Sequence, residues 1–197
     1  MKKIFLATKN KGKIKEMREI LSKFEDIEIL SFLDNIETPE IVEDGTTFEE
    51  NSQKKALGIA KFLNMYTIAD DSGISVETLG GAPGIYSARY SGENATSEEN
   101  LNKLFEVMKK EDNKKAKYVA VITIASPDLE YKSFRGELEG EILDQKRGTN
   151  GFGYDPIFYL KDWGKTTAEI TAEEKNEISH RGKALRELKN HIEDFIK

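Results

Sequence analysis

The chain of 197 residues has no cysteine and only two histidines, His180 and His191. The first absence excludes disulfides, thiolate metal sites and a cysteine nucleophile, and the second excludes a multi-histidine metal centre. Long apolar runs are missing too. No stretch approaches the ~18 apolar residues of a membrane span. The run at residues 4–7, behind Lys2 and Lys3, is too short for a signal-peptide core. A cytoplasmic protein without a membrane partner is therefore expected. Basic charge is in deficit, with 30 Lys and Arg against 36 Asp and Glu for a net charge of −6. No stripe of aromatic and basic residues offsets it, so nucleic acid is not an expected partner. What is present suits a soluble globular protein: 38% hydrophobic and 34% charged residues, at a length that folds without staples. One domain over residues 1–197, built as two lobes sharing a sheet, is expected.

The apolar patterning alternates between strand and helix periods. Residues 4–8 read as a buried strand, followed by the polar Lys9-Asn10-Lys11-Gly12 and a helix with Ile14, Met17, Ile20, Leu21 and Phe24 on one face. Residues 27–32 read as a second strand and 33–44 as an acidic loop. Thr47 and Glu50 have capping-box spacing ahead of a helix carrying Phe48, Ala56, Ile59, Ala60 and Leu63. A strand at 66–69 runs straight into Asp70-Asp71-Ser72-Gly73, and the turn cluster at 80–84 makes 74–79 a short extended excursion. Thr96 and Glu99 cap a third helix with Leu101, Leu104, Phe105 and Met108 inward. Residues 117–125 and 129–139 read as a hairpin, 156–159 as a strand, and about 179–196 as a last helix burying Ala184, Leu185, Leu188, Ile192 and Phe195. This order predicts an α/β fold, a mixed sheet with helices on both faces.

Polar segments at strand ends and helix starts are where such sheets place ligands. Thr8-Lys9-Asn10-Lys11-Gly12-Lys13 offers backbone N–H groups at a helix start and a lysine able to reach a terminal phosphate, or simply a solvated helix start. Asp70 and Asp71 project to opposite sides of a strand, so one of them faces a ligand site. That carboxylate can hold Mg²⁺ or accept a proton from water, or the pair can close the strand as an Asx turn. Glu40, Glu43 and Asp44 in the acidic loop are candidates for a second ligand, and Lys55 lies on the helix beyond them. In residues 148–156, glycines leave Phe152 free to stack on a planar ligand or to fold into the core, and Asp155 can accept from a ring N–H. His180 and Arg181 at the last helix start can donate to a carbonyl oxygen.

The ordered set A-T-K-N-K-G-K, G-T-T-F-E-E-N, I-A-D-D-S-G, G-G-A-P-G-I-Y-S-A-R-Y-S-G, G-F-G-Y-D-P-I-F and S-H-R-G-K-A-L resembles the inosine triphosphate pyrophosphatase family, the XTP/dITP diphosphatases of the Ham1/RdgB type. The unbroken block 80–92 is most similar to the bacterial branch. The resemblance implies a three-layer fold of the Ham1/Maf kind, with an elongated mixed β-sheet and a cleft between two lobes. It implies hydrolysis of ITP, dITP or XTP to monophosphate and pyrophosphate, at least one Mg²⁺ per subunit, and a homodimer. Thr8, Lys9, Asn10, Lys11, Gly12 and Lys13 match the family's triphosphate loop, with Lys9 standing where the family often carries glycine. Lys55 matches its helix lysine, Asp71 its proton acceptor and metal ligand, and Ser72 a substrate contact. Phe152, Gly153, Tyr154, Asp155, Lys175, His180 and Arg181 match its nucleotide and base contacts. Its second metal ligand is a Glu ahead of Gly-x-Thr-Phe; Glu40 and Glu43 both precede that motif, and spacing to Gly45 favours Glu43.

On this expectation, water attacks the α-phosphorus, Asp71 or Asp70 takes its proton, and Lys13 and Lys55 bind phosphates. ITP and XTP carry a carbonyl at C6 where ATP carries an amine, so donors on His180 and Arg181 would select them. Two other readings compete: a Maf-like pyrophosphatase of other modified nucleotides, and a purine-nucleotide sensor without catalysis. Acids in an anion site count against the sensor unless a cation intervenes.

Overall fold

The computed structural model describes residues 2–22 and 27–196. Phe24, expected on the first helix face, lies outside the described residues. The strands form one seven-stranded sheet ordered β2-β1-β3-β4-β5-β6-β7. They are β1 (Lys2–Leu6), β2 (Ile27–Ser31), β3 (Tyr66–Val76), β4 (Lys115–Ala125), β5 (Tyr131–Ile142), β6 (Phe158–Leu160) and β7 (Lys165–Thr166). β1 pairs in parallel with β2 and β3, whereas β6 pairs antiparallel with β5 and β7. The sheet is mixed, as expected. The helices are α1 (Lys11–Leu21), α2 (Phe48–Leu63), α3 (Ser97–Met108), α4 (Ala172–Ile178) and α5 (His180–Phe195).

The chain divides into two units. The first comprises Met1–Asp71, Ala120–Gly136 and Arg181–Lys197. It has three layers, because strand alternation sends successive side chains to opposite faces. Ile4, Leu6, Ile68 and Ile122 pack with Ile14, Met17 and Leu21 of α1 and Leu185, Leu188 and Ile192 of α5. Phe5, Ala7 and Ala69 face the other way, onto Ala56, Ile59 and Ala60 of α2. The small side chains at this second face let α2 approach closely, and Ser52 Oγ donates there to the Ala69 carbonyl (3.2 Å). Ile196 is buried at the chain's end, with Phe195 only half-buried beside it.

The second unit comprises Ser72–Val119 and Glu137–His180. Its core joins Ile74, Val76, Tyr118 and Leu138 of the sheet to Leu101, Leu104 and Met108 of α3 and to Phe158. The Thr96–Glu99 capping box forms with both of its hydrogen bonds. At α2 only half of one forms: Thr47 accepts from Glu50 N–H, while Glu50 turns to Thr46 N–H (2.6 Å).

The structure departs from the sequence reading at three places. Asp70-Asp71-Ser72-Gly73 does not end a strand: β3 continues without a break from Tyr66 to Val76. The continuation is held by residues distant in sequence. Ser87 Oγ accepts from Ile74 N–H (2.9 Å), and Val76 N–H donates to the Ala82 carbonyl (3.1 Å). Gly73 permits this, because a Cβ there would collide with Ser87 Oγ and the Gly84 carbonyl. Secondly, α4 was not anticipated: it has its own Thr171–Glu174 capping box, and Ser179 closes it ahead of α5, which starts at His180 where the last helix was expected. Thirdly, β7 was not anticipated, and residues 155–157 form a 3-10 turn ahead of β6.

Candidate active site

The expected site residues fall into two groups, one in each unit. The first unit gathers the acids and lysines around the middle of β3. Asp70 follows the parity of Ile68, and Asp71 that of Ala69, so the two carboxylates point to opposite faces as the sequence suggested.

On its face, Asp70 is held by cations. Arg181 Nε donates to Asp70 Oδ2 (3.1 Å), Lys13 pairs with Asp70 Oδ1, and the Arg181 guanidinium also pairs with Glu16 of α1. Burial alone would raise the Asp70 pKa. The charges of Arg181 and Lys13 outweigh burial and hold the carboxyl well below the usual carboxylate range. Arg181 is only 2% exposed. It was expected to donate to a base carbonyl, yet the structure ties it to Asp70 and Glu16. A buried carboxylate and a half-buried one share a cation fork here, and a guanidinium supplies it.

Asp71 is in the opposite condition. It is 7% exposed, and its Oδ2 has no hydrogen-bond partner among the described residues. Burial pushes its pKa up from 3.8 to about 6, against the pull of Lys13 and Lys55; the charges of Glu43 and Asp70 add to the rise. A buried carboxylate left this way needs a proton or a cation. Glu43 is half-buried and pairs with Lys55 (3.0 Å), whereas Glu40 is exposed. Glu43 is among the charges that act on Asp71. The segment carrying it is pinned, since Gly45 N–H donates to the buried Asn51 side chain (2.8 Å). Asp44 turns away to Lys54 (2.6 Å). The donor set of Asp71 and Glu43 therefore fits a hard divalent cation such as Mg²⁺, which takes one or two protein carboxylates and fills its other positions with substrate oxygens and water.

The triphosphate loop is more occupied than its sequence suggested. Asn10 caps α1, its Oδ1 accepting from Gly12 N–H (2.9 Å) and Lys13 N–H (3.2 Å). Thr8 Oγ1 accepts from Asn10 N–H (3.3 Å), Lys9 lies over the Phe32 ring, and Lys11 is exposed at the helix start. Ser72 is half-buried beside Asp71.

The second unit gathers the residues expected to touch the base, organised by Asp155. That carboxylate accepts from Phe152 N–H (2.8 Å), Lys175 Nζ (2.6 Å), Thr167 Oγ1 (2.9 Å) and the Tyr118 hydroxyl (3.2 Å). It is a buried hub, not the open acceptor for a ring N–H that the sequence suggested. Lys175 Nζ also stands over the half-buried Phe152 ring (4.6 Å to its centroid). Gly151 at φ +74° allows the loop to close on Asp155, and Gly153 bends it at φ +61°. Tyr154 is buried, its hydroxyl donating to the Ser87 carbonyl (2.7 Å); burial raises its pKa and keeps it a donor. His180, 5% exposed, stacks on Tyr118. Sequence reasoning missed Glu16, Tyr118 and Thr167. Glu16 lies among many charges on α1, Tyr118 lies within a strand pattern, and Thr167 lies in a stretch that carries no motif.

Known proteins match this chain along its length. The family model described as Ham1 family matches residues 4–191. A dITP/XTP pyrophosphatase of Desulfotalea psychrophila is 50% identical over 194 residues, covering 98% of this chain and 86% of that protein. A dITP/XTP pyrophosphatase of Listeria monocytogenes is 46% identical, covering 100% and 97%. The solved structure of the Staphylococcus aureus Ham1 protein superposes with a TM-score of 0.87 at 43% identity, over 98% of this chain and 100% of that one. A HAM1 protein from Coxiella burnetii gives 0.88 at 39% identity with the same coverage. With the mixed α/β sheet and these matches along its whole length, the chain belongs to the Ham1 family.

Proposed function

We propose that this chain is a dITP/XTP pyrophosphatase, a hydrolase that converts deaminated purine nucleoside triphosphates to the monophosphate and pyrophosphate. One observation carries the reading: Asp71 presents a buried carboxylate oxygen without a hydrogen-bond partner among the described residues, beside two lysines and a second acid. The names of the relatives supply the substrate class.

Phosphoryl transfer asks a protein mainly for positioning and for charge opposite the phosphates. Lys13 and Lys55 each have donors beyond the acid they pair with, and these bind the phosphate chain. Asp71 takes the proton of the attacking water at Oδ2. Asp70 is unsuited to that task, because its oxygens are engaged and its low pKa makes it a weak base. Asp71 and Glu43 would hold Mg²⁺, which when bound supplies neutralising charge for the departing pyrophosphate.

The purine lies with the second unit's group, where Phe152 offers a face to stack on and His180 a ring N–H for the C6 carbonyl. An amine at C6 would leave that donor unpaired, at about 1–3 kcal/mol. With Arg181 committed to acids, His180 carries this selection. The chain works as a single domain, and as a cytoplasmic homodimer. Among the described residues no helix is long and apolar enough to cross a membrane.

The test is pyrophosphate release from ITP, XTP, GTP and ATP, with and without Mg²⁺. Release from ITP and XTP that requires the cation is expected. Tight nucleotide binding without release would establish a sensor instead.

A further inference from the structure

Tyr118 lies outside every motif that marks the site, in the first half of β4, where its alternation reads as plain core. Its surroundings are unlike those of a core tyrosine. The ring lies flat against the His180 imidazole, centroids 4.7 Å apart and planes 13° from parallel. Its other aromatic neighbour, Phe158, sits at 4.3 Å and 35° and backs it. The hydroxyl donates to Asp155 Oδ1, the hub that also fixes Phe152 N–H and Lys175 Nζ.

We propose that Tyr118 is a positioning residue for base selection, its ring serving as the shelf that sets the plane of the His180 imidazole. This rests on the reading of His180 as the donor to the C6 carbonyl. The physical reason is rotational. The terminal side-chain bond of a histidine has no sharp minima, so it leaves the plane of the ring open to what packs against it. So little of His180 reaches the surface that the plane of the ring decides whether a ring nitrogen meets the base. Stacking removes that freedom, and offset or parallel aromatic contacts contribute favourably beyond burial. The hydroxyl then ties the shelf to the same carboxylate that orients Phe152, so the stacking face and the donor share one frame.

The roles of ring and hydroxyl separate by substitution. Tyr118→Phe keeps the shelf; Tyr118→Leu and Tyr118→Met remove it while filling the space. The readout is the ratio of kcat/KM for ITP to that for ATP, which does not depend on the fraction of active protein. The leucine and methionine variants should lower this ratio about tenfold, the cost of one neutral hydrogen bond. The loss should appear in KM for ITP with kcat nearly unchanged. The phenylalanine variant should stay within about threefold of the parent. In proton NMR the His180 ring signals, one of only two histidine sets, should keep their ring-current shift in the phenylalanine variant and lose it in the others. Equal losses on ITP and ATP would overturn the proposal, as would a phenylalanine variant as impaired as leucine. A parent protein that releases no pyrophosphate from ITP would instead remove the functional reading, and this inference with it.

Discussion

Replacing Asp71 by Asn should make the metal-free protein more stable while abolishing its turnover. The argument is electrostatic. In the folded chain Asp71 titrates at about 6, raised from 3.8 by burial and by the charges of Glu43 and Asp70. That rise corresponds to about 3 kcal/mol of unfavourable interaction once the group is ionised. The sign follows from proton binding: between these two pH values the folded chain holds a proton that the unfolded chain has released. Stability therefore falls as pH rises through this window, and the full penalty is present above it. Asparagine keeps the shape and removes the charge. In EDTA at about pH 8 the variant should gain about 3 kcal/mol over the parent, and the gain should vanish by about pH 3. Urea denaturation across this range measures it. Adding Mg²⁺ should then stabilise the parent selectively, because only the folded parent offers the complete ligand pair. A variant no more stable than the parent at about pH 8 without divalent cations would refute the reasoning.

Other consequences concern the surrounding groups. Arg181→Ala leaves Asp70 and Glu16 without their shared cation, and should cost about 3–5 kcal/mol in denaturant unfolding; a loss under about 1 kcal/mol would contradict the buried network. Glu43→Gln should weaken Mg²⁺ binding in calorimetry at least about tenfold, while Glu40→Gln leaves it unchanged; the reverse pattern would reassign the second ligand. Gly151→Ala places a Cβ against Asp155 Oδ2 at φ +74°. It should cost about 1–3 kcal/mol of stability and raise KM for ITP, since the loop that carries Phe152 must shift.

How much of this was legible in the sequence depended on how local each determinant is. The faces of α1, α2, α3 and α5 could be read, because helical spacing and the Thr96–Glu99 cap are short-range signals. The opposed directions of Asp70 and Asp71 could be read as well, since they follow from strand geometry alone. The strand's continuation could not. Asp, Ser and Gly are poor strand formers and favour turns. β3 stays extended through them because Ser87 Oγ and the Ala82 carbonyl accept from Ile74 N–H and Val76 N–H. The same limit hid the commitment of Arg181, whose partners Asp70 and Glu16 lie 111 and 165 residues away in the chain. Asp155 read as an open acceptor because nothing nearby shows that Tyr118, Thr167 and Lys175 converge on it. In each case the residue type was informative and its partner was not.

The central claim is that water, deprotonated at Asp71, attacks the α-phosphorus of a deaminated purine triphosphate. Hydrolysis of ITP in oxygen-18-labelled water, followed by mass spectrometry of both products, tests it most directly. The label should appear in the inosine monophosphate, with the pyrophosphate unlabelled. Label in pyrophosphate or in free phosphate would contradict the account.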